Sequence, residues 1–180
     1  MELLKISPGE FEDPVRTWLK RSCRKLVKFD VRRRETLSGQ GGEYEIDILV
    51  ELEIFDGALI RVLVECKRHK NPIKRDLVMV LDSKLRDVAA HKGVIFSTSG
   101  FQRGAVKYAK THGIAAVRVA GVETTYLAKA EGARRPPRTG FVGWFTTLEQ
   151  DDEPCEKLVD TEYTKPLQLW LNSRATSQRA

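Results

Sequence analysis

Three charged residues lie in two segments in which apolar residues alternate with other residues. The alternation alone does not require a charge at these positions. Asp47 lies in YEIDILVELEI, and Glu65 and Lys67 lie in ALIRVLVECK. Two carboxylates on neighbouring strands repel each other and need a compensating cation. Hard oxygen ligands suit magnesium, which keeps several waters and holds substrate phosphates. The alternative is a solvated strand face on which Lys67 neutralises both carboxylates.

The apolar spacing predicts how the two segments pair. In both of them the even-numbered positions are apolar, and alternate residues of a strand share a face. Placing both apolar sets on one face requires a loop of odd length, which Phe55-Asp56-Gly57 provides, with Gly57 at positive φ. This register predicts that Asp47 faces Glu65, with Lys67 one diagonal step away on the same face.

Helices and further strands must hold this hairpin in place. The order predicted from periodicity is a helix over 10–28, strands over 29–37, 44–54 and 58–67, a helix capped by Asn71-Pro72, a strand over 94–98, a helix over 102–110 and a strand over 114–119. The first helix has two candidate starts, a Ser7 to Glu10 capping box and Asp13-Pro14. Gly93 is expected to end the second helix. The alternation of strands and helices predicts an α/β fold with parallel pairing beside the hairpin.

The charge balance favours an anionic partner. Of 180 residues, 31 are Lys or Arg and 25 are Asp or Glu, which gives a net charge of +6. Ribosomal and membrane-surface proteins share this balance. Three cysteines without CxxC spacing indicate neither a disulfide framework nor a zinc ribbon, which favours the cytoplasm. No apolar run reaches the ~18 residues of a membrane span, and no signal peptide is evident.

Basic and polar residues near the end of the hairpin and near the following helix starts are the candidates for contact with nucleic-acid phosphates. They are Arg33, Arg68, Lys70, Lys74, Arg75, Ser99, Gln102 and Arg103. Lys84 and Arg86 are expected on the outer face of the second helix, where such charges are usually only solvated.

Four stretches together resemble a known family. They are Phe11-Glu12, Gly41-Gly42 ahead of Ile46-Asp47-Ile48, the strand end Val64-Glu65-Cys66-Lys67-Arg68, and 93–101. Over about 10–120 the chain resembles the catalytic domain of Mrr-like type IV restriction endonucleases, in the PD-(D/E)xK nuclease superfamily. Many Mrr-like domains carry Gln where this chain has Glu65, and the proline that commonly precedes Asp47 is missing.

The resemblance implies a restriction-endonuclease-like three-layer α/β/α fold with a mixed, roughly five-stranded sheet. It implies an endonuclease that hydrolyses DNA phosphodiester bonds with Mg²⁺, or with Mn²⁺ instead. Asp47, Glu65 and the backbone carbonyl of Cys66 would hold the metal, and Lys67 would orient or deprotonate the attacking water. Glu12 would contribute to the site; the alternative is a surface glutamate that favours a helix N-terminus.

Two other functions remain open at this point. One is a non-cleaving DNA-binding or assembly module on the same fold, and the other is a junction resolvase or repair nuclease. The intact acidic pair with its lysine favours cleavage. The predicted organisation is a catalytic domain over 1–120, a basic proline-rich linker over 121–138 and an extension of unknown role over 139–180. The extension is a candidate surface for a homodimer contact or a partner protein.

Overall fold

A computed structural model describes residues 7–22, 28–54, 58–121, 142–148 and 154–160. Within these ranges the chain forms helices α1 to α3 and strands β1 to β7. Their bounds are α1 Pro8–Ser22, β1 Lys28–Gly39, β2 Gly42–Ile54, β3 Ala58–Lys67, α2 Arg75–Asp87, β4 Lys92–Ser97, α3 Arg103–Thr111, β5 Ile114–Gly121, β6 Val142–Leu148 and β7 Pro154–Asp160. None of the described helices is long and apolar enough to cross a bilayer.

The strands form one mixed sheet whose order follows the chain from β1 to β7. Strands β1 to β3 pair antiparallel, β3 to β5 pair parallel, and β5 to β7 pair antiparallel again. The predicted α/β class with a mixed sheet is confirmed, but the predicted count of about five strands is wrong. The described part has seven, because β6 and β7 of the C-terminal extension add to the edge at β5. The predicted linker over 121–138 lies outside the described residues, apart from Gly121.

The predicted hairpin register is confirmed from Ile54–Ala58 to Ile48–Val64. Ile54 pairs with Ala58 and Leu49 pairs with Leu63, so the connection contains three residues. The conformation expected for Gly57 lies outside the described residues. Glu51 faces Arg61 in this register, and the two side chains form an ion pair of 3.1 Å.

The sheet separates two apolar cores. Ile48 and Val64 pack on the α1 side, with Phe11, whereas Leu49 packs on the side of α2 and α3. Ile46 also packs on the α2 side, so the expectation that all even positions of β2 share one face is wrong. The alternation therefore breaks around Asp47.

The capping box starts α1. The N–H of Ser7 donates to Glu10 Oε2 at 2.6 Å, and the N–H of Glu10 donates to Ser7 Oγ at 3.2 Å. Pro14 consequently lies inside the helix and not at its first position. The predicted end of this helix at residue 28 is wrong, because β1 already begins there.

The start of α2 differs from the prediction at Asn71-Pro72. Its N-cap is Lys74, because Ile73 is engaged in a short parallel bridge with Phe101. The N–H of Ile73 donates to the carbonyl of Gly100 at 2.8 Å. This pairing keeps the chain extended for three residues beyond the predicted start and joins the loop after β3 to the turn after β4.

The end of α2 also differs from the prediction. The helix stops at Asp87, and Ala89 takes the positive φ of 52° that commonly follows a helix C-terminus. Gly93 lies in β4 and does not end the helix. A Cβ at Gly93 would lie 2.7 Å from Leu85 Cδ1, so the glycine allows α2 to pack closely on the sheet.

Candidate active site

Asp47 lies where β2 separates from β3. The ladder between these strands ends at Ile48 and Val64, and the predicted pairing of Asp47 with Glu65 is not part of it. Instead, Asp47 Oδ2 accepts a hydrogen bond of 2.7 Å from the backbone N–H of Cys66. The carboxylate thus takes the place that a main-chain partner would have on a continuous ladder, and this fixes it beside the end of β3.

Glu65 is buried and held by two lysines. Its side chain is 6% exposed, and its Oε2 lies 2.6 Å from Lys67 Nζ while its Oε1 lies 2.5 Å from Lys84 Nζ. Burial alone would raise the pKa of Glu65, but the charges and hydrogen bonds of the lysines outweigh it and hold the pKa below its usual value. The pKa of Lys67 is raised, because the attraction of Glu65 exceeds the effect of burial.

Lys84 is a site residue whose predicted position was wrong. It was expected on the outer face of α2, but its side chain is only 19% exposed and its Nζ also donates to the carbonyl of Glu45 at 3.2 Å. Lys84 follows the buried Leu81 by three positions, which is the spacing of one helix face. That spacing was the available signal, since a long lysine stem can cross apolar surface and place its charge on a partner.

The carboxylate of Asp47 is destabilised by its surroundings. Burial raises the pKa of Asp47, the N–H of Cys66 opposes this, and the charge of Glu65 raises the pKa further. The thiol of Cys66 has a strongly raised pKa for the same main reason, burial. The charge of Glu65 therefore acts on Asp47, although the two residues are not paired on the strand ladder as predicted.

Glu12 faces the same region from α1. Its Oε2 accepts hydrogen bonds from Arg33 Nη2 at 2.9 Å and Nε at 3.2 Å, and it lies 3.6 Å from Arg34 Nε. Its charge is among those that raise the pKa of Asp47. Because Glu12 is 8% exposed, the alternative of a solvated surface glutamate does not describe it.

The residues predicted to contact DNA fall into two groups. Six of them have exposed side chains on the loop after β3 and near the starts of α2 and α3: Arg68, Lys70, Lys74, Arg75, Gln102 and Arg103. Ser99 is buried and its hydroxyl donates to the carbonyl of Asn71 at 2.8 Å. Arg33 also pairs with Asp13. These contacts favour structural roles for Ser99 and Arg33.

The oxygen ligands near Asp47 suit magnesium in type. Among the described residues, no group of three or more His, Cys, Asp and Glu side chains is placed to hold a metal ion. Magnesium is commonly held by one or two carboxylates and several waters, so the metal set of Asp47, Glu65 and the carbonyl of Cys66 stays a prediction. Glu65 could join only if Lys67 or Lys84 released one of its oxygens.

The Mrr_cat family model, described as restriction endonuclease, matches residues 3–123. The chain belongs to this restriction endonuclease family. Membership confirms the resemblance inferred from the sequence around Asp47, Glu65 and Lys67. No curated protein matches the chain at a significant level.

Two solved structures are similar to parts of the chain. One is a protein of unknown function, AF1548, with 24% identity, a TM-score of 0.48, and coverage of 60% of this chain and 55% of that chain. The other is the DNA modification-dependent restriction endonuclease AspBHI, with 18% identity, a TM-score of 0.33, and coverage of 62% and 34%. The chain spans about half the length of the first and a third of the second.

Proposed function

We propose that this family member is a divalent-metal-dependent endonuclease that hydrolyses DNA phosphodiester bonds. The observation that carries the proposal is the meeting of Asp47 and the Glu65–Lys67 pair at the point where β2 leaves β3. Two carboxylates that repel each other and a fixed lysine are the groups that metal-assisted phosphate hydrolysis needs.

Asp47, Glu65 and the carbonyl of Cys66 would hold Mg²⁺, with Mn²⁺ as the alternative ion. The bound ion would supply positive charge against the phosphate and a water of lowered pKa. Asp47 is the better placed of the two carboxylates to accept it, because its Oδ2 accepts a neutral N–H, whereas both oxygens of Glu65 are paired with lysines.

Lys67 would act as a cation and hydrogen-bond donor. The pKa of Lys67 is raised by Glu65, so the amine stays protonated at neutral pH. A protonated amine can orient a water and balance charge developing on the phosphate. This favours the orienting role over the deprotonating role that the sequence left open. Glu12 would act indirectly: it would hold Arg33 in place and add negative charge near Asp47.

The exposed basic residues after β3 and at the helix starts would bind the DNA backbone. Arg68, Lys70, Lys74 and Arg75 follow directly on the strand that carries Glu65 and Lys67. Gln102 and Arg103 begin the neighbouring α3, and the bridge between Ile73 and Phe101 joins the two segments. We further propose that the protein works in the cytoplasm and that the C-terminal extension offers a contact for a second copy or a partner protein.

One observation favours the non-cleaving alternative. Lys67 and Lys84 together neutralise Glu65, and a site that keeps both ion pairs would have only Asp47 for a metal. Cleavage would then require that binding of metal and DNA displaces one lysine.

The experiment that tests the proposal is a cleavage assay with the wild-type chain. Supercoiled plasmid, modified plasmid and a four-way junction are incubated with Mg²⁺ or with EDTA. The proposal expects nicking or linearisation that needs Mg²⁺. Binding of all substrates without cleavage would support the non-cleaving module, and cleavage confined to the junction would support the resolvase.

A further inference from the structure

Arg34 has an unusual backbone for its position. Its φ is +50°, in the left-handed region that residues with a Cβ rarely adopt and that costs energy in the middle of a strand. Of the described non-glycine residues, Ala89 shares this feature, but it follows a helix end, where the left-handed conformation is common. Strained backbone of this kind occurs preferentially at functional sites.

The position of Arg34 connects it to the candidate active site. Arg33 pairs with Ile48 and Glu35 pairs with Ile46. Arg34 on β1 therefore lies opposite Asp47 on the neighbouring strand β2. The β1–β2 ladder skips this pair, and Ile46 and Ile48, on either side of Asp47, pack on opposite faces of the sheet. Asp47 and Arg34 therefore occupy one local distortion.

The guanidinium of Arg34 lies against the first turns of α1. Its Nε is 3.6 Å from Glu12 Oε2, longer than a hydrogen bond. A Cβ added at Gly9 would lie 2.9 Å from Arg34 Nη2, so the glycine leaves room for the group. The Arg34 side chain thus lies beside Glu12 and is 60% exposed.

The other cations near Asp47 are already engaged. Lys67 and Lys84 are bound to Glu65, and Arg33 donates two hydrogen bonds to Glu12. In the ranges that the structure describes, the 3.6 Å approach to Glu12 is the one polar contact of the Arg34 side chain. Its guanidinium has five N–H donors in a planar fork that matches a phosphate.

We propose that Arg34 binds a phosphate of the DNA strand that lies across Asp47, and that its left-handed backbone is retained because it presents the guanidinium there. The sequence had favoured Arg33 for such a contact, but the Arg33 side chain is already bound to Glu12 and Asp13 of α1. This inference rests on the proposed function, since it assumes that DNA occupies the site. Together with Arg68 beyond the end of β3, Arg34 would bracket the carboxylates with positive charge on two sides.

Three substitutions at this position separate charge from backbone strain. Arg34→Gln removes the charge and keeps the strain, Arg34→Lys keeps the charge, and Arg34→Gly removes both, because glycine adopts this φ without penalty. Arg86→Gln is the matched control. Arg86 is also 60% exposed, but it lies in the last turn of α2, paired with Asp82.

The measurement is the affinity for a fluorescent DNA duplex by anisotropy, at several salt concentrations. EDTA is present throughout, so that neither cleavage nor metal binding enters the readout. We expect Arg34→Gln to bind about tenfold more weakly and to lower the log–log salt slope by about 0.9, while Arg34→Lys restores most of that slope. Arg34→Gly should bind as weakly as Arg34→Gln but melt at or above the wild-type temperature. The Arg86 control should match the wild type in affinity and slope.

Two results would overturn the inference without touching the proposed function. One is wild-type affinity and slope in Arg34→Gln, alongside a wild-type protein that binds and cuts DNA. The other is a melting temperature of Arg34→Gly below that of Arg34→Gln, which would show that the left-handed backbone of residue 34 is not strained and so is not retained for function. A wild-type chain that does not bind duplex DNA at low salt would overturn both this inference and the proposed function.

Discussion

Replacing Lys84 by methionine should lower the free energy of unfolding by about 2 kcal/mol at neutral pH. A hydrogen bond to a charged group is worth roughly 1.5–3 kcal/mol, and breaking a buried ion pair costs roughly 3–5 kcal/mol. The lower part of this span applies, because Lys67 remains bound to Glu65 at 2.6 Å and methionine keeps the apolar stem of the side chain. For a chain of this size, that loss lowers Tm by roughly 4–8 °C.

The assay is thermal or chemical denaturation as a function of pH. The pKa of Glu65 is held below its usual value, so its contribution is present above the unfolded-state pKa of about 4.3 and is lost as pH falls through the folded-state pKa. The difference between wild type and Lys84→Met should therefore shrink in acid. Lys74→Met serves as the control, since Lys74 is exposed at the N-cap of α2 and makes no side-chain cap hydrogen bond.

A double-mutant cycle gives the refuting result. In the Glu65→Gln background the effect of Lys84→Met should be much smaller than in the wild type, because its charged partner is gone. An equal loss in both backgrounds would show that Lys84 stabilises the fold through packing alone. No loss in the wild-type background would show that the buried pair with Glu65 does not hold in solution.

Two further changes test the charges around the site. Asp47→Asn should raise the free energy of unfolding by about 1 kcal/mol, because burial raises the pKa of Asp47 while asparagine still accepts from the Cys66 N–H. A raised folded-state pKa costs stability as pH rises through it, so this gain should appear in urea denaturation at pH 7 and vanish in acid; a loss at pH 7 would contradict it. Charge reversal at Arg68, Lys74 and Arg75 together should lower the salt slope of duplex binding by about 0.9 for each phosphate that the protein no longer neutralises, and an unchanged slope would place the DNA elsewhere.

The hairpin could be predicted because its pattern has a single consistent solution. Side chains alternate with a period of two, so a one-residue slip in the pairing would expose one of the two apolar faces. The register from Ile54–Ala58 to Ile48–Val64 follows directly. The same rule failed beyond Ile48, where Ile46 packs on the opposite face, across from the left-handed backbone of Arg34. Nothing in the run of three arginines at 32–34 marks its last member as different.

Other features depended on contacts between distant parts of the chain. Asn71-Pro72 is a good local helix start, but the bridge between Ile73 and Phe101 delays α2. Strand β6 shows little alternation in sequence, and its Trp144 is covered by the guanidinium of Arg118 at 4.3 Å, a contact between β6 and β5. Such pairings are fixed by the folded sheet and not by the segment itself, so local patterns could not reveal them.

The most direct test of the central claim is the rate at which site variants nick a supercoiled plasmid in Mg²⁺. Asp47→Asn and Lys67→Met should each cut at least roughly a hundredfold more slowly than the wild type, while circular dichroism shows a folded protein and duplex binding in EDTA persists. Arg86→Gln, which removes a side chain paired with Asp82 and not with Asp47 or Glu65, should cut at the wild-type rate. If Asp47→Asn or Lys67→Met, folded and bound to DNA, cuts as fast as the wild type, these residues do not form the active site.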